Sequence, residues 1–259
     1  MKILFTFALE NEFALWRAMR PFRSEQWGTV QAHVTEIGEA SIGVVLTGAG
    51  PKQAALHASQ AISGDSGAID MCISSGFAGA LKESYEIGQV LAARSVFSGA
   101  RHADSDTKIL YSSEALLSFA AECGATLVDQ FYSAQHVVSR AEEKKYLGKL
   151  ADAVEMESFE VMREAAADGV PAIAIRTVSD AALEDLPLNL DAVFSEEGRV
   201  SIPRVLGQVA LHPAAIPGLM KLSNQSKRAA ESLAQFLDRY VALLASRMAS
   251  LARTEVAAG

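Results

Sequence analysis

The chain predicts a single α/β domain over residues 1–259, with a central mixed β-sheet flanked by helices in three layers. Two observations carry this. Apolar strand-like runs alternate with helix-like segments, which is the pattern of a sheet covered on both faces. One pair of runs, 29–37 and 41–47, is joined only by Gly38-Glu39-Ala40 and reads as an antiparallel hairpin, so the sheet is mixed. Half of the 259 residues are apolar, enough for a sizeable core.

The elements run in order along the chain. Residues 2–8 form an apolar strand cut short by Glu10 and Glu12. With no small-residue cleavage site after it, it reads as a strand rather than a signal peptide. A helix spans 10–19, then the hairpin, then a helix over 51–63. Strands at 69–75 and 88–97 precede a helix at 112–122. Strands at 125–131 and 134–138 precede a helix at 141–149. A short strand at 152–156 leads into a helix at 157–168, which stops at Gly169 with Pro171 beyond it. The run 171–178 is the most apolar strand and ends on Ser179-Asp180. Residues 183–223 hold four of the seven prolines, yet are too apolar for a flexible linker; they read as an added flap folded on the domain. The last helix, 225–250, places Leu233, Phe236, Leu237, Tyr240, Leu244 and Met248 on one face and docks by it.

The formal net charge is −8, and no block of Lys or Arg forms a stripe. Nucleic acid, whose phosphates need cations, is a poor partner; a small neutral molecule suits the chain better. No apolar run reaches the roughly 18 residues of a membrane span. Cys72 and Cys123 form no metal-type spacing, and the chain fits a reducing cytoplasm.

Chemistry gathers at strand ends. Thr47-Gly48-Ala49-Gly50-Pro51-Lys52 and Ser74-Ser75-Gly76-Phe77-Ala78-Gly79 each follow a strand and offer backbone amides to anions or polar ligand atoms. Neither matches a dinucleotide or phosphate-loop fingerprint, and each is equally a tight turn. Glu10 and Glu12 follow the first strand, where acids also favour a helix dipole. Glu155 and Glu157 flank Met156, and if extended point to one side. Asp180 follows Ser179 and is also placed to cap the next segment. Three acidic strand ends in one sheet point to a common cleft at the sheet's carboxyl edge.

These blocks, in this order, resemble the bacterial methylthioadenosine/S-adenosylhomocysteine nucleosidases of the nucleoside phosphorylase/nucleosidase superfamily. The likeness runs through Ala8-Leu9-Glu10-Asn11-Glu12, Thr47-Gly48-Ala49-Gly50, Ser75-Gly76-Phe77-Ala78-Gly79, Val154-Glu155-Met156-Glu157 and Arg176-Thr177-Val178-Ser179-Asp180. It implies N-glycosidic bond cleavage. Asp180 protonates the leaving purine and Ser179 orients it. Glu157 holds the ribose hydroxyls beside Met156, and Glu12 activates the attacking water. By position His136 stacks on the base and the backbone of Val137 reads it; Ser75, Gly76, Phe77, Ala78 and Glu155 complete the substrate-binding set. No metal or organic cofactor is implied, and the assembly is a homodimer, with a hexamer as the other family form. Phe77 departs from the family, which has a small polar residue there. The segment 183–223 resembles the C-terminal part of hopanoid-associated phosphorylases, which act on adenosylhopane. It lines a 5′ pocket, or else forms a packing layer or dimer surface.

Phosphorolysis, with phosphate as co-substrate, needs a fixed cation site, for which Arg94, Arg101 and Arg176 are the candidates. Arg176, inside the Ser-Asp strand, reads as the partner of a structural carboxylate. A carboxylate at position 12 repels phosphate, so water is the expected nucleophile. A nucleoside-binding protein without turnover is the alternative of a different class.

Overall fold

The computed structural model describes residues 1–63, 68–99 and 108–258, with side chains up to residue 247. Its elements are β1 (Lys2–Phe7), α1 (Glu10–Met19), β2 (Arg23–Trp27), β3 (Val30–Ile37), β4 (Ala40–Leu46), α2 (Pro51–Ile62), β5 (Met71–Ala80), β6 (Val90–Ser98), β7 (Lys108–Tyr111), α3 (Glu114–Glu122), β8 (Thr126–Ser133), α4 (Ala141–Leu147), β9 (Ala153–Glu155), α5 (Ser158–Ala167), β10 (Ala172–Asp180), α6 (Ile202–Leu211) and α7 (Ile216–Ala258). The strands form one mixed sheet, as the hairpin required: β1 pairs parallel with β4 and β5, while β3 pairs antiparallel with β4.

Alternation along β1 sorts its side chains between two cores. Leu4 joins a cluster with Ala54, Ala58, Phe159 and Met162 of α2 and α5. Ile3, Phe5 and Phe7 join Phe13, Trp16, Leu116, Phe236 and Tyr240 of α1, α3 and α7. The predicted face of the final helix is buried at Leu233, Phe236, Leu237, Tyr240 and Leu244. Tyr240 donates its hydroxyl to the Leu116 carbonyl at 3.0 Å, so its one polar atom is satisfied inside the apolar layer. The side chain of Met248 lies outside the described residues. The helix is longer than expected, beginning at Ile216 inside the segment read as a flap. No helix among the described residues is long and apolar enough to cross a membrane.

Three sequence expectations change. Residues 134–138 are not a strand. The Ala134 amide makes the last ladder bond, to the Glu155 carbonyl of β9, and beyond it the Val137 amide turns to the Asp191 carboxylate instead of a strand. The polar edge strand β2 and the short β7 carry too little apolar alternation to be read from sequence. The third concerns the second glycine-rich block. Residues 76–79 are the second half of β5, registered against Arg176 to Asp180 of β10.

That continuation shapes one end of the sheet. β5 pairs with β10, β10 with β6, β6 with β8, β8 with β9, and β9 with the end of β5. The sheet therefore closes on itself at one end. The carboxyl ends of β1, β4, β5 and β10 open on the same side, where α/β folds hold ligands.

The glycines of β5 make room for carboxylates. Gly76 has φ +144, and a Cβ there would stand 2.6 Å from Glu12 Oε1. A Cβ at Gly79 would stand 2.8 Å from Asp180 Oδ2. Gly76→Ala is expected to cost about 1–3 kcal/mol through backbone strain, and to displace Glu12. Thermal melting and turnover of the variant check both parts.

Candidate active site

A cavity of about 340 Å³ lies over these strand ends. Its floor carries Glu12, Met156, Glu157, Ser179 and Asp180, with Phe77, Ala78 and Gly79 along one wall. The flap supplies a roof that is almost wholly apolar, including Leu188, Leu190, Val193, Phe194 and Leu222.

Glu12 is brought in by the first turn of α1, which the end of β1 aims at the cavity. Its two oxygens accept the amides of Leu9, at 2.9 Å, and Phe77, at 2.8 Å. Burial pushes its carboxyl above the ordinary range, against those amides and the charge of Arg176. A carboxylate made more basic in this way suits removal of a proton from water near neutrality.

Glu157 ends the β9–α5 junction. Its Oε1 accepts the Gly50 amide at 2.8 Å, and its Oε2 stands 3.9 Å from Arg176 Nη2. Burial first, then the neighbouring charge of Glu155, pushes Glu157 up to about 8 despite Arg176. A carboxyl held up in this way ionises more readily once hydroxyl donors arrive.

The raised value makes stability depend on pH. The unfolded chain releases this proton near the ordinary value of 4.5, the folded one near 8. The stability this group lends is therefore full below the lower value and is lost as pH rises through the upper one. Glu157→Gln is expected to flatten that alkaline fall by on the order of a few kcal/mol. Melting curves between pH 5 and pH 9 read it directly.

Glu155 shares a strand end with Glu157 but has different work. Its Oε2 accepts from Arg176 Nη2 at 2.7 Å and from the amides of Glu157 and Ser158 at 3.0 and 2.7 Å. The carboxylate thus holds the first turn of α5 and the buried guanidinium of Arg176 together. Arg176 is the structural partner the sequence suggested.

Asp180 sits at the end of β10, after a register irregularity following Val178. Ser179 donates its hydroxyl to Asp180 Oδ1 at 2.8 Å. The other oxygen takes the ammonium of Lys144, a fully buried residue of α4. Sequence reasoning misses Lys144 because it sits in the charged run Glu142-Glu143-Lys144-Lys145. Its helical phase is the available signal: Lys144 lies three residues before buried Leu147, on the inward face.

Other candidates fall at the margins. His136 is exposed at the cavity rim, and its Nε2 lies 3.2 Å from Glu143 Oε1. The Val137 amide donates to the Asp191 carboxylate of the flap at 2.8 Å, so that amide is already engaged within the protein. Ser75 and Gly76 lie behind the wall rather than on it. The first glycine-rich turn is not an open anion cradle: the amides of Gly48, Ala49 and Gly50 donate to Ala8, Gly198 and Glu157. Among the described residues, no Lys or Arg lines the cavity. Arg94 is exposed on β6, and Arg101 lies outside the described residues.

A family model described as Phosphorylase superfamily matches residues 2–207. Comparison with curated proteins finds no match. Among solved structures, the native futalosine hydrolase of Helicobacter pylori strain 26695 is 20% identical, with a TM-score of 0.70 over 93% of this chain and 97% of that one. The 5′-methylthioadenosine/S-adenosylhomocysteine nucleosidase of Helicobacter pylori, bound to butyl-thio-DADMe-Immucillin-A, is 20% identical, with a TM-score of 0.71 over 93% and 97%. The Neisseria meningitidis nucleosidase with methylthio-immucillin-A is 20% identical, with a TM-score of 0.69 over 93% and 98%. At this identity the likeness concerns the fold.

Proposed function

Because the chain belongs to the phosphorylase superfamily, we propose that it cleaves the N-glycosidic bond of a purine nucleoside with water as the nucleophile. The observation that carries the choice of water is Glu12: a buried, basic carboxylate in a cavity that no cation lines among the described residues. Phosphate arriving there would meet the Glu12 carboxylate and, among the described lining residues, no fixed cation.

In this reading Glu12 takes a proton from the water that attacks the anomeric carbon. Glu157 accepts the sugar hydroxyls, and Met156 packs on the sugar. Asp180, oriented by Ser179, gives a proton to the departing base. Acid and base on opposite sides of an oxocarbenium-like centre follow the logic of sugar hydrolysis. The chemistry asks for no metal or organic cofactor. The solved nucleosidases and futalosine hydrolase named above are consistent with it. A homodimer working in a reducing cytoplasm completes the proposal.

The apolar roof favours a substrate whose 5′ substituent is itself apolar, since burial there rewards hydrocarbon and penalises charge. A panel of 5′-methylthioadenosine, S-adenosylhomocysteine, inosine and a 5′-alkyl adenosine, followed by base release, tests both parts. The 5′-alkyl adenosine is expected to have the highest kcat/KM and S-adenosylhomocysteine a much lower one. A binding protein without turnover would release no base from any of them.

A further inference from the structure

Lys144 is fully buried, and its three N–H donors have three oxygen acceptors: Asp180 Oδ2, the Ala181 carbonyl at 3.0 Å and the Glu184 carbonyl at 3.2 Å. All three acceptors lie in the five residues that run from the end of β10 into the flap. A buried ammonium is costly unless paired and hydrogen-bonded in this way. The carboxylate side of the pair faces the cavity, while the ammonium lies behind it.

From this arrangement we propose that Lys144 is a positioning residue for Asp180, fixing the carboxyl group and stabilising the charge that remains on it after it gives up its proton. The inference rests on the nucleosidase reading. As the bond from the anomeric carbon to the base breaks, its electron pair stays on the base. Asp180, the carboxylate of the pair in the free protein, takes up one proton from solvent as the nucleoside binds; a base nitrogen then takes that proton, and the O–H pair stays on Asp180 as the carboxylate. Lys144 keeps its own protons throughout. Its attraction is stronger after transfer than before, so from the protonated complex it favours the transfer step itself rather than binding. The carbonyls of Ala181 and Glu184 keep the ammonium in place, so no reorganisation is needed when charge develops.

The test is steady-state kinetics of the full chain and its Lys144→Met, Lys144→Gln and Lys144→Arg variants on two substrates. One is a purine nucleoside cleaved by the parent; the other is 4-nitrophenyl β-D-ribofuranoside, whose leaving group departs as a stable anion without a proton. With Met or Gln, kcat on the nucleoside is expected to fall about 100-fold with little change in KM, and kcat on the nitrophenyl riboside by much less. Arg, which keeps the charge, is expected to recover part of the loss. Equal losses on both substrates, no loss on either, or an Arg variant no better than Gln would overturn the inference. A parent that releases neither leaving group fails earlier, and refutes the nucleosidase reading on which the inference stands. Gln keeps hydrogen-bonding capacity, so it carries the comparison if the Met variant does not fold.

Discussion

Asp180→Asn is expected to lower kcat on a purine nucleoside by about 10²–10⁴-fold, with KM little changed. An amide has no acidic proton to give the departing base, yet it is close in size to the carboxyl group and can still accept from Ser179. The substitution also leaves the Lys144 ammonium without its counter-charge. Removing one partner of a buried pair is costly, so a stability loss on the order of 3 kcal/mol should accompany it. The two effects separate by assaying well below the melting point and by including the nitrophenyl riboside. Loss of acid catalysis spares that substrate, whereas unfolding does not. An Asn variant that cleaves the nucleoside as fast as the parent would remove Asp180 from the mechanism.

Glu12→Gln should fall by a similar factor, about 10²–10⁴ in kcat, for a different reason. Each oxygen of Glu12 accepts a backbone amide, one from Leu9 and one from Phe77. A Gln can match only one of them; its NH₂ must face the other N–H. About 1–3 kcal/mol of stability should go with the misplaced donor. The catalytic loss should appear on the nucleoside and the nitrophenyl riboside alike, because both need an activated water. Asp180→Asn and Glu12→Gln thus give opposite substrate patterns, one selective and one not. If Glu12→Gln spared the nitrophenyl riboside, its role would not be activation of water.

Much of this is legible in the chain. The run from Gly169 to Asp180 is apolar enough to be a central strand, and its polar end could only emerge at a sheet edge. The helix at 158–167 announces its end with Gly169 and Pro171. The final helix shows its buried face by spacing alone. Glu12, Glu157 and Asp180 stand out by their places after strands, and the fold brings all three to one cavity.

The features that escape the sequence depend on long-range closure. Gly76 and Gly79 look like turn residues because glycine breaks strands. Here they stay within β5, and their missing side chains admit Glu12 and Asp180. Nothing local distinguishes those uses. The division of labour between Glu155 and Glu157 is also hidden. Both sit at one strand end, and only the position of Arg176, on β10, decides which carboxylate it holds. Lys144 is masked by its charged neighbours, whose solvated side chains make the run look like an outer face.

Hydrolysis by water is tested most directly by running the reaction in oxygen-18 water, with and without inorganic phosphate, and identifying the sugar product. Hydrolysis predicts a free sugar carrying the heavy oxygen at its anomeric carbon, formed at the same rate whether or not phosphate is present. Base release that requires phosphate, with a sugar 1-phosphate accumulating and no label at that carbon, would contradict it.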